Sequence, residues 1–204
     1  MIQALLAAAL WGSTDAFAGQ SARRSSPLLA AIWLHVASLV VMLPFIAVNH
    51  AWLVVAPRDA AFGMLAGVAA AAGDVLFGKS LAKSSMSVGI PLANVIAAMI
   101  PALLAIVQGE HLTVIAALGI AGALLATGMA AFPSNGKVAV SGAGYAVLAG
   151  SLFGMMFALL TQVHAGGGVV AAITVIFLMR VAGTIALLPG LLQPDSRQYK
   201  SMAA

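Results

Sequence analysis

The feature that most constrains this chain is a series of apolar segments, each long enough to cross a bilayer. They lie approximately at 2–20, 28–48, 60–82, 87–107, 112–132, 142–164 and 169–192. A membrane-spanning helix needs about 20 mainly apolar residues. The breaks between the segments, such as KSSMS and PSNGKVAVSG, carry the glycine, proline, serine and charged residues typical of loops. The pattern predicts an all-α integral membrane protein with about seven transmembrane helices.

Composition excludes a water-soluble domain. Only 7% of the residues are charged and the mean hydropathy is +1.10, whereas a soluble domain carries about 25% charged residues. The chain has no cysteine, which excludes disulfides and thiolate metal sites. Its few basic residues form no nucleic-acid surface, and no HExxH or GxSxG motif indicates an enzyme. The expected environment is the lipid bilayer, and no catalytic residue, metal or cofactor is expected.

An internal repeat links the beginning of the chain to its last two apolar segments. The stretch ALLAAALWG (4–12) matches AVLAGSLFG (146–154), and HVASLVVMLP (35–44) matches RVAGTIALLP (180–189). Each repeat period contains five helices, and because five is odd the second copy should cross the membrane in the opposite direction. Inverted repeats are common in secondary transporters, where the substrate site lies near the midplane between the copies. We therefore predict an inverted repeat.

The order of motifs also resembles a known family. LWGSTDAFAGQSARR, then GKSLAKSSMSVGIPLANVIAAMIPALLAIVQGEHLT, then GIAGALLATGMAAF is similar to the five-helix EamA unit of the drug/metabolite transporter superfamily. The resemblance implies a first repeat at 1–132, an inter-repeat loop at 133–141, a partial second repeat of two helices at 142–192 and a polar tail at 193–204. Family members typically have five plus five helices, so the last three would be missing here. It also implies a location in the bacterial plasma membrane.

Small and polar residues recur on single faces of the predicted helices. Gly12, Asp15 and Gly19 share a face of the first helix, and Asp74 continues a face of the third that begins at Gly63. Stripes of small residues let transmembrane helices pack closely. Four glycines are expected at helix–helix contacts: Gly12, Gly63, Gly67 and Gly122.

Ionisable and amide side chains within apolar helices are candidates for a substrate or ion pathway, because they are costly against lipid. Alternatives remain for several. Asp15 and Asp74 could be ordinary helix-end residues, Lys79 could extend its ammonium to the interface, and His35 could be a packed, hydrogen-bonded histidine rather than a proton relay. Arg180 needs a partner wherever it lies. The candidate pathway set is Asp15, His35, Asp74, Lys79, Asn94, Gln108 and Arg180.

Two functions compete. The first is a secondary transporter that moves small metabolites or drug-like compounds by alternating access, coupled to a proton or another cation. The repeat makes such coupling asymmetric, because Phe157 takes the place of Asp15 in the second copy. The second is a truncated membrane remnant that does not transport, or a chain that transports only as an oligomer; a homodimer could cover polar faces that the missing helices leave open. A retinal protein is disfavoured, because the seventh helix has no lysine.

Overall fold

The computed structural model describes residues 2–49, 55–111, 113–131, 142–164, 166 and 168–192. Within these ranges it contains seven α-helices and no strand, which confirms the predicted all-α fold. The predicted loop at 133–141 and the tail at 193–204 lie outside the described residues. The helices are α1 (Ile2–Arg24), α2 (Pro27–Val48), α3 (Pro57–Lys83), α4 (Met86–Val107), α5 (Val114–Ala131), α6 (Ala143–Leu160) and α7 (Gly168–Leu187), and a 3-10 helix (Leu188–Leu192) follows α7.

Five helices of the described chain are long and apolar enough to cross a membrane: α2, α3, α4, α6 and α7, the last extended by its 3-10 turn. In α1, the polar residues Gln3, Ser13, Thr14 and Asp15 lower the hydropathy. In α5, the apolar stretch that the structure describes runs from Val114 to Ala126. The fold is therefore that of an all-α membrane protein.

Local sequence explains where several helices begin and end. Pro27 and Pro57 occupy the first turns of α2 and α3, where proline costs no backbone hydrogen bond. Pro189 follows the end of α7, and the chain continues there as a 3-10 helix. Four predicted boundaries differ by three residues or more. Helix α1 runs four residues past its predicted end at 20, and α3 begins three residues before its predicted start at 60. Helix α6 ends at Leu160 rather than at 164, and α7 ends at Leu187, where the 3-10 helix takes over, rather than at 192.

The extension of α1 has a tertiary cause. The Arg23 side chain donates hydrogen bonds to the carbonyl oxygens of Leu81 (3.3 Å) and Ser84 (3.1 Å), at the end of α3. Carbonyls in the last turn of a helix lack an intrahelical donor and carry partial negative charge, so a guanidinium satisfies both needs. Arg23 and Arg24, which follow the predicted end of the first helix, therefore lie in the last turn of α1 and not in a loop.

Helix α3 is the centre of the bundle and packs against α6, α7, α2, α1 and α4. Its buried face consists largely of alanine and glycine, including Ala66, Ala70 and Ala71. Gly63 and Gly67 both face α7: a Cβ at Gly63 would lie 2.7 Å from Val175 Cγ1, and one at Gly67 would overlap the backbone of Met179. These two glycines occupy the helix–helix contacts that the sequence stripe predicts.

Helices α3 and α6 run antiparallel. Near the start of α3, the Arg58 guanidinium lies 3.3 Å from His164 Nδ1, just beyond the end of α6. At the other end of α3, Lys83 Nζ lies 4.7 Å from the centre of the Tyr145 ring, near the start of α6. The two ends of α3 therefore meet opposite ends of α6.

The packing role predicted for Gly12 and Gly122 is wrong. A Cβ at either position would meet no atom within 4 Å. Helix α1 approaches the bundle through its second half, where Gly19 and Ala22 are buried, and Gly12 lies in its exposed first half. Helix α5 packs mainly against α4, and Gly122 is on its exposed surface. A stripe of small residues shows which face could pack, but not whether a neighbour is present.

Candidate functional site

A polar cluster lies where α2, α3 and α7 meet. His35 of α2 is completely buried, and its Nε2 lies 3.1 Å from Oδ2 of Asp74 on α3. The other ring nitrogen, Nδ1, lies 3.4 Å from the backbone carbonyl oxygen of Arg180 on α7, at the long end of hydrogen-bond distances. One imidazole therefore bridges three helices.

Glycine makes room for this ring. Gly183 lies one turn after Arg180 on α7, and a Cβ there would overlap the His35 ring, with Nδ1 only 2.7 Å away. The same Cβ would lie 2.9 Å from the carbonyl oxygen of Gly67 on α3. The absence of side chains at Gly67 and Gly183 thus brings α3 and α7 close together and leaves the ring its place between them.

Two further charges and an amide extend the cluster. On α1, Asp15 Oδ2 accepts a 3.1 Å hydrogen bond from the Asn94 amide of α4. The Asp15 carboxylate also interacts electrostatically with Asp74, and so does the Arg180 guanidinium. The cluster therefore combines two carboxylates, a guanidinium, an imidazole and an amide from five helices, which is costly in a bilayer unless the groups share partners or water.

A partly open cavity of about 290 Å³ lies beside the cluster, between α1, α2 and α3. Its walls are mostly apolar and include the rings of Phe17 and Phe77. The polar groups that line it are Thr14, Ser21 and Asp74. Asp74 therefore joins the buried cluster to a space large enough for solvent or a small molecule. Asp15 does not line this cavity.

Two predicted pathway residues lie outside the cluster. Lys79 is exposed on α3, about 8 Å along the helix from Asp74 at 1.5 Å per residue. Gln108 is exposed and caps the end of α4, about 21 Å along that helix from Asn94. The criterion that selected Lys79 and Gln108, a polar side chain within an apolar helix, gives neither their depth nor their exposure.

Sequence reasoning missed Gly183 and the aromatic walls of the cavity. Gly183 aligns with Ser38 in the internal repeat and follows Arg180 by three residues. A glycine one turn from the charged residue of an otherwise apolar helix is the signal that could have found it. Phe17 and Phe77 carry no such signal, because phenylalanine is common on lipid-facing surfaces.

Comparison with known proteins identifies the family. The model of the EamA-like transporter family matches residues 1–132, a range that ends one residue after α5. Neither the curated proteins nor the solved structures compared with the chain include a match. The family match covers more than half of the chain and includes four of the five helices that build the polar cluster. The chain therefore belongs to the EamA-like transporter family.

Proposed function

We propose that this protein is a secondary transporter that moves small metabolites or drug-like compounds across the membrane by alternating access. The observation that carries the proposal is the polar cluster around His35, Asp74 and Arg180, which lies among apolar helices beside a cavity. Charged groups at such a position are costly and typically mark a substrate or ion pathway. Membership of a transporter family supports the same function.

The helix arrangement favours alternating access between inverted copies. Helix α6 runs antiparallel to α3, and α2 packs against α7 through His35 and Arg180, which occupy matching positions in the repeat. A residue near a twofold axis contacts its own symmetry mate, so this contact is expected if α2 and α7 flank a pseudo-twofold axis. Transport sites of inverted-repeat proteins lie near such an axis. The protein would then work in a plasma membrane, as the sequence resemblance implies.

Flux into proteoliposomes tests the proposal. The full chain is reconstituted and offered, in separate assays, mixtures of amino acids, nucleosides and lipophilic cationic dyes, with and without a pH gradient. We expect at least one class to accumulate above empty liposomes. Asp74→Asn should lower that initial rate by at least about tenfold, the equivalent of 1.4 kcal/mol, because a charge at the cluster is lost.

Glu110→Gln is the matched control, because it removes a carboxylate from an exposed position outside the cluster. It should leave the initial rate within about twofold of the unmodified chain, as for most surface substitutions. If folded protein accumulates none of the three classes, the transporter proposal is contradicted and the non-transporting remnant is favoured. If flux appears only after the chain is covalently linked as a dimer, the homodimer is the working unit.

A further inference from the structure

Both ring nitrogens of His35 face hydrogen-bond acceptors. Nδ1 faces the carbonyl oxygen of Arg180, and Nε2 faces the carboxyl group of Asp74. A carbonyl oxygen and an ionised carboxylate can only accept, so each ring nitrogen needs its own hydrogen to bond its partner. A neutral imidazole has only one such hydrogen, so it can donate to Asp74 or to the Arg180 carbonyl but not to both. The neutral ring then keeps the shorter contact, Nε2 to the carboxylate at 3.1 Å, and leaves the 3.4 Å contact of Nδ1 unbonded.

Both contacts together therefore require one additional proton. If that proton is on the ring, the pair is an imidazolium and a carboxylate; if it is on Oδ2, a neutral carboxyl group donates to Nε2 of a neutral ring. Both forms contain the same number of protons, and both join α2 to α3 and to α7. Without this proton, His35 keeps its bond to Asp74 and loses its bond to the Arg180 carbonyl on α7.

The proton determines the net charge of the cluster. Asp15 on α1 and Arg180 on α7 both interact electrostatically with Asp74, while the group contributed by α4 is the neutral amide of Asn94. With His35, Asp74, Asp15 and Arg180 all ionised, the formal charges cancel. Loss of the proton leaves a net charge of −1, which is costly inside a bilayer.

Only one member of the pair reaches the cavity. The His35 side chain is 0% exposed, whereas that of Asp74 is 17% exposed and lines the cavity between α1, α2 and α3. An acid on the cavity wall can pass its proton to solvent in the cavity, while the imidazole behind it cannot. Asp74 is therefore the exchange point and His35 the buried partner.

We propose that His35 and Asp74 together bind one exchangeable proton, which enters and leaves through the cavity and whose release uncouples α2 from α7. On release, the proton passes to solvent, Asp74 remains as a carboxylate and His35 remains neutral with its hydrogen on Nε2, so that Nδ1 no longer donates to the Arg180 carbonyl. The role of this proton as the coupling ion rests on the proposed transport function. The proton site itself depends only on the pair, so it can be tested without a substrate.

Nuclear magnetic resonance of the full chain in lipid nanodiscs, with ¹⁵N-labelled histidine rings, tests the proposal. Ring nitrogen shifts distinguish a bare nitrogen from one that carries or shares a hydrogen, and His35→Gln identifies the His35 signals among the four histidines. In samples between about pH 5 and about pH 9, Nδ1 of His35 should change from hydrogen-bearing at the acid end to bare at the alkaline end, while Nε2 keeps its hydrogen.

Asp74→Asn separates the bridge from its exchangeable proton. The asparagine amide can donate to a bare Nε2 while Nδ1 donates to the Arg180 carbonyl, so both contacts can form without an added proton. We expect His35 in this variant to keep one neutral form, with hydrogen on Nδ1, across the whole pH range. Glu110→Gln is the control and should reproduce the titration of the unmodified chain, because Glu110 is exposed at the end of α4.

A His35 signal that does not change with pH in the unmodified chain would overturn the proposal, and so would an unaltered titration in Asp74→Asn. If Asp74→Asn does not fold, the unmodified chain decides alone. Flux without a titrating His35 would retain the transporter and reject the proton site. A titrating His35 without flux in any assay would retain the proton site and contradict transport.

Discussion

At the scale of single residues, Gly183 holds the most demanding position beside the cluster. Its missing side chain admits the His35 ring between α2, α3 and α7, and a single methyl group there would overlap the ring. The ring cannot retreat easily, because its other nitrogen is held by Asp74. The geometry of the proton site is therefore as sensitive to this glycine as to the two residues that bind the proton.

Gly183→Ala should lower the free energy of unfolding by about 1–3 kcal/mol, the usual cost of an added group in a packed interior. The unfolding midpoint in detergent can be followed by the fluorescence of the three tryptophans. Gly144→Ala is the control, since a Cβ there meets nothing within 4 Å, and its midpoint should not fall. Equal midpoints for Gly183→Ala and the unmodified chain would show that α7 is not held against His35.

At the scale of helices, close approach is distributed unevenly through the bundle. Helix α3 meets α7 through Gly63 and Gly67, with the backbone of Met179 directly above Gly67. Helix α5 contributes little to this packing, and its Gly122 faces open space. Glycine is therefore essential for packing at position 67 of α3 and dispensable for packing at position 122 of α5.

Gly67→Leu and Gly122→Leu form a matched pair that tests this difference. Leucine at position 67 must separate α3 from α7 by several ångströms, because the obstacle is backbone and cannot move aside as a side chain can. We expect the yield of monodisperse folded protein to fall by roughly an order of magnitude for Gly67→Leu, because the two helices can no longer pack closely. Gly122→Leu should retain the yield of the unmodified chain. Equal yields would contradict the close contact between α3 and α7.

At the scale of the whole molecule, the directions in which the helices run decide whether the two copies of the repeat are inverted. The contacts of Arg58 with His164 and of Lys83 with Tyr145 make α6 antiparallel to α3. If α1, α2 and α3 cross the membrane in alternating directions, α6 starts on the side where α1 ends. The two copies of the repeat would then be inverted relative to each other, as the odd number of helices in each period predicts.

Single-cysteine labelling tests this topology on a chain that has no native cysteine. Ser25→Cys, just after α1, and Gly144→Cys, at the start of α6, should react with a membrane-impermeant maleimide from the same side. Gly166→Cys, between α6 and α7, should react only from the opposite side. All three positions are exposed or partly exposed. Labelling of Ser25→Cys and Gly144→Cys from opposite sides would rule out the inverted arrangement.

The sequence determined the properties that depend on the solvent and on the period of the helix. Apolar segments of about twenty residues are unfavourable in water and match the thickness of a bilayer, so the membrane helices and their approximate bounds could be predicted from the sequence. The expense of charge in hydrocarbon likewise singled out His35, Asp74 and Arg180 before any contact was known. Only the tertiary structure decided which faces meet. Helical periodicity places Gly67 and Gly122 on faces of the same kind and gives neither a partner. The cost of charge in lipid selects Lys79 and Asp74 alike, without regard to exposure. Partners are fixed by the crossing of helices distant in sequence, which is why the pairing of His35 with Asp74, and the space that Gly183 leaves for it, emerge only in three dimensions.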